Sequence, residues 1–184
     1  MARIRRIWRQ LPRQGRLLFF DVKPVAVKAY GGRRYTSVKK LVLPRAQKTR
    51  GRFYLFVAYD AVDGRVYWAF YPGKSARYVC QFMRRLRRCF PDRSLWVALD
   101  QDRAHPCKSR DTRRVMRALG LHWISLPKAS PDDNPVEVVF SDIQLMVLDN
   151  SDAPDIRATQ RRISRHLRRR NHRKDRHIHI PYLY

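Results

Sequence analysis

The sequence predicts an α/β fold in which one mixed sheet carries helices on both faces. Three features support this prediction: strand-type runs come first and include a hairpin, helix-type runs begin only after residue 75, and short apolar runs then alternate with helical ones. Strands joined by a tight turn pair antiparallel, whereas strands joined through a helix pair in parallel. We therefore expect both kinds of pairing in the same sheet.

The early part of the chain contains four strand candidates. Residues 17–28 are rich in leucine, phenylalanine and valine, and residues 38–43 form a weaker candidate. Residues 52–61 and 65–71 are rich in aromatic residues, and the Asp63-Gly64 pair between them is a strong hairpin signal. We expect these strands to form the antiparallel part of the sheet.

The spacing of the apolar residues changes after Ser75, which is a suitable N-cap. From Val79 to Phe90 they recur at helical spacing and predict a first helix. Four further elements follow: an apolar strand over residues 94–99, a helix capped by Ser109, a short buried strand over residues 122–126, and a helix opened by Pro135.

The charge of the chain is far from that of an ordinary globular protein. It carries 41 Lys and Arg against 15 Asp and Glu, a formal net charge of +26. Such an excess repels itself in the compact state unless an anionic partner lies against it. The predominance of arginine favours nucleic acid, because the guanidinium fork matches the phosphate group. A membrane partner is not expected, since no apolar run is long enough to cross a bilayer.

Two further features bear on localisation. The basic start of the chain is not followed by an apolar run of the length that a secretory signal needs. The three cysteines, Cys80, Cys89 and Cys107, form no CxxC pair, which argues against a disulfide framework and a structural zinc site. We therefore expect a cytoplasmic, nucleoid-associated protein.

The distribution of charge divides the chain into three parts. Residues 1–16 contain six arginines and no acid, so we expect a basic arm or linker. Residues 17–150 hold the predicted strands and three of the predicted helices, and form the main domain. Residues 151–184 form a basic C-terminal helix and tail, in which Ile163 and Leu167 belong to only a thin apolar stripe. Such a helix needs an anionic or protein surface to settle on.

Acidic residues are scarce, and two of them lie beside apolar strands. Asp21 lies within or at the end of the first strand, and Asp100 directly follows residues 94–99. Burying a lone carboxylate is costly, and a divalent cation offsets the cost. Carboxylate oxygens select hard cations such as magnesium or manganese. Plainer interpretations stay open, since either acid can simply end its strand, and Asp102 can be the ligand in place of Asp100.

Glu137 also has a purely structural interpretation. If Asn134 is the N-cap and Pro135 the first helical residue, Glu137 takes the third position, where an acid closes a capping box. By these local rules no catalytic role is needed to explain the residue.

Two motifs stand out in the second half of the chain: residues 100–105 read Asp-Gln-Asp-Arg-Ala-His, and residues 130–137 read Ser-Pro-Asp-Asp-Asn-Pro-Val-Glu. Together they resemble the mariner superfamily of DDE transposases, in particular its bacterial insertion-sequence branch. Residues 100–105 are similar to the family's Asp-Asn-Ala-x-x-His segment. Residues 130–137 are similar to its Ser-Pro-Asp-Leu-Asn-Pro-Ile-Glu signature. The 36 residues between Asp100 and Glu137 match the family's spacing. Residues 17–21 match its first strand and first acid, although Val22 stands where the family often has glutamate.

The resemblance implies a ribonuclease H-like fold and a catalytic triad of Asp21, Asp100 and Glu137. In the family these acids hold two magnesium or manganese ions per site, which promote cleavage at transposon ends and transfer of the freed 3′-hydroxyl into target DNA. His105 and Asn134 are expected to orient the site or the substrate. The implied partner is double-stranded DNA, both transposon ends and target, bound by a homodimer in a synaptic complex.

We expect phosphate contacts from the arginines of two predicted helices and from the N-terminal arginine cluster. The helical residues are Arg110, Arg113, Arg114, Arg117, Arg161, Arg162, Arg165, Arg168, Arg169 and Arg170.

The family also implies an N-terminal helix-turn-helix region that recognises the ends of the element. Nothing similar precedes Leu17, so we expect that region to be lost or encoded separately. Two other functions stay open: a related ribonuclease H-like nuclease, and a catalytically silent basic DNA-binding remnant.

Overall fold

A computed structural model describes residues 1–31, 48–127, 134–149 and 151–183. Its sheet has five strands in the order β3-β2-β1-β4-β5. These are β1 (Arg16–Val27), β2 (Gly51–Asp60), β3 (Val66–Tyr71), β4 (Leu95–Leu99) and β5 (Leu121–Ser125). The weaker strand candidate at residues 38–43 lies outside the described residues.

The described residues form five α-helices. These are α1 (Ala2–Arg9), α2 (Ala76–Cys89), α3 (Arg110–Ala118), α4 (Val136–Ile143) and α5 (Ile156–His172). Helix α4 continues into a π-helix over Gln144–Leu148, and a single 3-10 turn follows at Pro181–Leu183. None of the helices in the described ranges is long and apolar enough to cross a membrane.

The sheet is mixed, as the sequence predicts. Strand β2 lies between β1 and β3 and pairs antiparallel with both. Strand β4 lies between β1 and β5 and pairs in parallel with both. Gly64 lies in the β2–β3 hairpin with a φ of 72°, a conformation that glycine adopts without steric cost.

Two apolar layers lie on the two faces of the sheet. The first layer lies beneath α1, α4 and α5, and the second beneath α2 and α3. Successive residues of β1 show the division, because Leu17 and Phe19 face the first layer whereas Leu18 and Phe20 face the second. Helices therefore cover both faces, and the predicted fold class is confirmed.

The expectation of an arm over residues 1–16 needs correction for α1. A stripe of apolar side chains from this segment packs on the first layer, and Ile4 is only 2% exposed. The stripe consists of Ile4, Ile7, Trp8 and Leu11, which have the i, i+3, i+4, i+7 spacing of an amphipathic helix. The six arginines of the segment obscure this spacing.

Strand β5 is less buried than the short buried strand that the sequence predicts over residues 122–126. It stands at the end of the strand order, beside β4. Leu121 and Ile124 are buried, whereas His122 and Ser125 are exposed. Among the described strands, β5 is therefore an edge strand, and part of its side chains are exposed.

Candidate active site

Asp21 and Asp100 lie where the parallel pair of β1 and β4 ends. Phe19 pairs with Ala98 in this register, and the two acids stand two residues further along their respective strands. Because β4 ends at Leu99, Asp100 lies at its carboxyl end, where ligands gather in open α/β sheets. The two acids line one cavity of about 100 Å³, together with Val22, Lys74, Asp102 and His105.

His105 holds the carboxylate of Asp100. Its Nδ1 lies 2.5 Å from Asp100 Oδ1 and 3.1 Å from the Asp100 carbonyl oxygen. The ring of His105 is buried, with the residue 3% exposed, and packs edge-on against Phe20 at 5.4 Å between centroids. The hydrogen bond with His105 lowers the pKa of Asp100, although burial acts in the opposite direction. Asp100 is therefore kept ionised and oriented.

Asp21 has the opposite electrostatic environment. Burial raises its pKa to about 7, and the negative charges of Asp100 and Glu137 contribute to the rise. The backbone N–H of Val22, which donates to Asp21 Oδ1 at 2.7 Å, acts against this rise. The other two acids of the predicted triad therefore both lie within electrostatic reach of Asp21.

Asn134 ties the start of α4, and with it Glu137, to β1. Its Oδ1 accepts a hydrogen bond from the Val136 N–H at 3.2 Å, and its Nδ2 donates to Asp21 Oδ2 at 3.4 Å. The N–H of Glu137 donates to the Asn134 carbonyl at 2.9 Å. The Asn134 side chain therefore caps α4. A capping box also needs a hydrogen bond from the Asn134 N–H to the Glu137 carboxylate, and none is found among the described residues, so the structural interpretation of Glu137 is only half supported. Residues 130–133 of the motif lie outside the described residues.

Asp102, the alternative ligand, is engaged by other parts of the chain. Lys74 Nζ lies 3.0 Å from its Oδ2, and the Ala104 N–H donates to its Oδ1 at 2.9 Å. Burial raises the pKa of Asp102, but the Ala104 N–H and Lys74 outweigh burial and lower it. Both oxygens are thus occupied, whereas the hydrogen bonds described for the Asp100 carboxylate all reach Oδ1. Asp100 is the better candidate of the two.

The donor atoms of this cluster match a hard divalent cation in kind. All three acids of the predicted triad offer carboxylate oxygens, and the like charges that raise the pKa of Asp21 are what a cation would neutralise. Within the described part of the chain, no group of three or more His, Cys, Asp or Glu side chains is arranged to hold a metal ion. The residue types therefore fit such an ion, whereas the carboxylates do not converge on one point.

A comparison with protein families settles the relationship of the chain. Residues 16–160, which include Asp21, Asp100 and Glu137, match the family model of the DDE superfamily endonucleases. The chain belongs to this family. No curated protein sequence matches the chain significantly.

Several solved structures share the fold of this chain. The mariner Mos1 paired-end complex with Mg superposes with a TM-score of 0.66 at 19% identity, covering 99% of this chain and 55% of that one. The Mos1 transposase catalytic domain with raltegravir and Mn gives 0.64 at 16% identity, with coverage of 91% and 77%. The catalytic core domain of BIV integrase gives 0.56 at 13% identity, with coverage of 86% and 84%.

These similarities confirm the ribonuclease H-like fold. Because the sequence identities are below 20%, these structures show that the fold is shared but do not show a shared activity. The chain spans about half the length of the Mos1 chains in the strand-transfer and pre-cleavage complexes, at 51% and 52%.

Two of the arginines predicted to contact DNA have structural roles in this chain. Arg170 is 9% exposed and donates to the carbonyls of Gly64 at 3.0 Å and Arg176 at 2.8 Å, while its guanidinium lies over the Tyr59 ring. Arg113 donates to the carbonyls of Pro106 and Cys107 and braces the loop before α3. Because both terminal nitrogens of Arg170 already donate to backbone carbonyls, the structure favours a structural role for this residue over the predicted phosphate contact.

The remaining predicted contacts are exposed or partly exposed, and several of those on α5 line a wide groove. They are Arg110, Arg114, Arg117, Arg161, Arg162, Arg165, Arg168 and Arg169. The groove has a volume of about 830 Å³ and lies between α5 and Phe70 of the edge strand β3. Its basic lining residues are Arg157, Arg161, Arg165, Arg168, Arg169, His172 and Arg173, and none of its lining residues is acidic.

The cavity of Asp21 and Asp100 also contains a lysine, Lys74, that neither sequence motif includes. It lies after β3 and just before α2, and reaches the cavity through its ion pair with Asp102. No sequence signal identifies it, since the contact depends on how the β3–α2 connection packs against the end of β4.

Proposed function

We propose that this DDE endonuclease is the catalytic domain of a transposase that cuts DNA at transposon ends and joins the freed 3′-hydroxyl to target DNA. The catalytic residues would be Asp21, Asp100 and Glu137. One observation carries the proposal: Asp21 and Asp100 line a single cavity at the end of the β1–β4 pair, and the charge of Glu137 on α4 acts on the same site.

We propose magnesium or manganese, with two ions per site, as the cofactor. The three acids would hold these ions through carboxylate oxygens, which hard cations prefer. Such ions, when bound, promote attack on a phosphodiester and stabilise the leaving oxygen. The Mos1 paired-end complexes that share this fold are complexes with Mg and with Mn, which supports the proposal.

The neighbouring residues of the chain prepare these acids. His105 keeps Asp100 ionised and fixes its Oδ1. Asn134 links Asp21 to the start of α4, so that β1 and α4 present their acids together. Lys74 is held at the cavity by Asp102, and its exposed ammonium is suited to contact a DNA phosphate beside the bond that is cut.

The proposed partner is double-stranded DNA. The basic groove between α5 and β3 offers guanidinium groups at helical spacing along one face, which suits backbone contacts that position DNA without reading its sequence. We also propose a homodimer in a synaptic complex, a helix-turn-helix region that recognises the transposon ends, and a cytoplasmic, nucleoid-associated location.

The decisive test is the variant Asp100→Asn. We expect it to reduce metal-dependent nicking of supercoiled DNA by more than about a hundredfold, because even changes next to metal ligands cost about 10- to 100-fold. Duplex binding, measured in chelator, should stay within about twofold, since nonspecific binding depends mainly on cationic contacts to phosphate. Asp92→Asn, which removes an exposed acid between α2 and β4, is the matched control. Nicking by Asp100→Asn at the level of the unaltered protein would overturn the assignment.

A second experiment separates the transposase from the two alternative functions. The substrates are short duplexes that copy the candidate transposon ends on either side of the gene and already carry a free 3′-hydroxyl. They are incubated with a target plasmid and magnesium. Joined products identify a transposase, whereas nicking without joining identifies a related nuclease. A chain that binds DNA but neither nicks nor joins it is a silent remnant.

A further inference from the structure

A cavity of about 600 Å³ lies at the β5 edge of the sheet. Its lining includes two tryptophans, a histidine and two arginines, and the full set is Arg3, Trp96, Arg117, Gly120, Leu121, His122, Trp123 and Ser125. It shares no lining residue with the cavity of Asp21 and Asp100 or with the α5 groove. It is therefore a third surface, and neither the acids nor the α5 arginines account for it.

The aromatic residues of this cavity form a stack that ends in solvent. Trp96 and His122 are cross-strand neighbours in the β4–β5 pair, with ring centroids 4.3 Å apart and planes 21° apart. Trp96 is half-buried and His122 is exposed. A flat ring that is supported from below and open above is the surface on which nucleic-acid bases stack.

Cationic side chains flank the stack on both sides of the strand edge. Trp96 packs against the first apolar layer and Trp123 against the second, so the cavity wraps around the edge of β5. Arg3 comes from α1 on the first face, and Arg117 comes from α3 on the second, with its guanidinium 5.9 Å from the Trp123 ring centroid. The lining contains no acid. An aromatic platform between two cations matches a base between two phosphates.

We propose that this cavity binds one unpaired nucleotide of a DNA strand that crosses the edge of β5. The base stacks on His122 and extends the Trp96–His122 pair, and Arg3 and Arg117 contact the phosphates on either side. A base within a duplex does not fit this role, because its two faces are covered by its neighbours and it must first be unstacked. The proposal concerns binding alone and stands whether or not the acidic site cleaves DNA.

The test compares two labelled oligonucleotides in chelator, so that cleavage plays no part. One is a short oligothymidine, and the other has the same phosphates but abasic residues in its central part. For the unaltered protein we expect the abasic strand to bind about tenfold more weakly by fluorescence anisotropy, which is the order of effect that base–aromatic stacking produces. His122→Ala should weaken oligothymidine binding by a similar factor and remove the difference between the strands. His122→Phe, which keeps a flat ring, should restore both the affinity for oligothymidine and the difference between the two strands.

Three controls define the outcomes. Arg161→Ala in the α5 groove should weaken the binding of oligothymidine, the abasic strand and a blunt duplex by similar factors. The ratio of affinities between oligothymidine and the abasic strand should not change. His122 is exposed, so its replacement should not affect folding, and thermal unfolding checks this. The proposal is overturned if His122→Ala keeps the difference between the strands, or if it weakens the blunt duplex as much as oligothymidine. Equal competition by a polyglutamate peptide of matched charge would assign the cavity to an acidic polypeptide and overturn the proposal as well.

Discussion

Asp100 and Asp21 line the same cavity, yet their pKa values move in opposite directions. A hydrogen bond with His105 lowers the pKa of Asp100, whereas burial raises the pKa of Asp21 to about 7. Without a cation, Asp21 is therefore close to half-protonated at neutral pH while Asp100 is ionised. Binding of a divalent cation has to displace the remaining Asp21 proton, which couples metal affinity to pH.

His105 acts through Asp100, and the variant His105→Gln tests this positioning role. The glutamine removes the ring that fixes Asp100 Oδ1. We expect the magnesium concentration for half-maximal nicking to rise about 10- to 100-fold, the usual cost of removing a partner of a metal ligand. Duplex binding should not change. His177→Gln, in the exposed C-terminal tail, is the control, and an unaltered magnesium requirement in His105→Gln would contradict the assigned role.

Asp60, a buried acid outside the cavity of Asp21 and Asp100, should make the stability of the fold depend on pH. It is 0% exposed, and burial and the charge of Asp63 raise its pKa to about 6, against the effects of the Val62 N–H and Arg16. The unfolded chain releases this proton near the ordinary value of 3.8, so between about pH 4 and pH 6 the folded state binds more protons than the unfolded state. Stability from this residue is therefore lost as pH rises through that window.

The variant Asp60→Asn removes this titration. We expect the free energy of unfolding of the unaltered protein, relative to the variant, to fall by at most about 3 kcal/mol from pH 4 to pH 7, since a pKa difference of one unit corresponds to about 1.4 kcal/mol. Urea unfolding across this range measures the difference. Parallel pH profiles of the two proteins would refute the raised pKa of Asp60.

At the scale of secondary structure, the sequence predicts an element well where a single periodicity dominates. The first strand, predicted over residues 17–28, is Arg16–Val27, and the helix after Ser75 is Ala76–Cys89. Ser109 caps α3 as predicted, by accepting a hydrogen bond from the Thr112 N–H. Local spacing and local capping are sufficient for these elements, because neither depends on which element lies next in space.

The sequence-based predictions fail where the burial or contacts of a residue depend on its position in the whole fold. The exposure of residues in β5 follows from its place at the sheet edge, which the strand sequence alone does not encode. Part of the candidate site is predictable, because acids that follow parallel strands gather at one edge of a sheet. Lys74 is not predictable, since its contact with Asp102 joins residues 28 positions apart through tertiary packing.

Helix α5 contains arginines with two different roles, and two variants separate them. Replacing both Arg161 and Arg165 by alanine should leave stability within about 0.5 kcal/mol, as is usual for surface changes. It should weaken DNA binding and reduce the slope of log affinity against log salt by about 0.9 for each phosphate that these side chains neutralise. Arg170→Ala should instead destabilise the fold by about 1 to 3 kcal/mol, because buried carbonyls are deprived of their donor.

Urea unfolding and salt-dependent anisotropy measure the two effects. A loss of stability in the double variant, with no change of the salt slope, would contradict the proposed division of roles. So would full stability of Arg170→Ala.

At the scale of the whole molecule, both ends of the described chain close the first apolar layer. Ile4 of α1 and Leu183 of the last turn are buried there, and Arg5 Nε donates to the Tyr182 carbonyl at 3.1 Å. Helix α5 contributes Ile163 and Leu167 to the same layer. The exposed arginines of α5 are therefore presented from a helix that is anchored in the core, and their positions are fixed relative to the sheet.

The net charge of +26 should give stability and DNA affinity opposite responses to salt. In the free protein, repulsion among like charges destabilises the compact state, and sodium chloride screens it. The melting temperature should therefore rise with salt. DNA binding releases condensed counterions, so log affinity should fall linearly with log salt, by about 0.9 for each phosphate that the protein neutralises. Differential scanning fluorimetry and anisotropy on the same protein measure the two trends. A melting temperature that falls with salt would mean that ion pairs outweigh the repulsion, and a flat affinity plot would mean that the arginines do not bind phosphate.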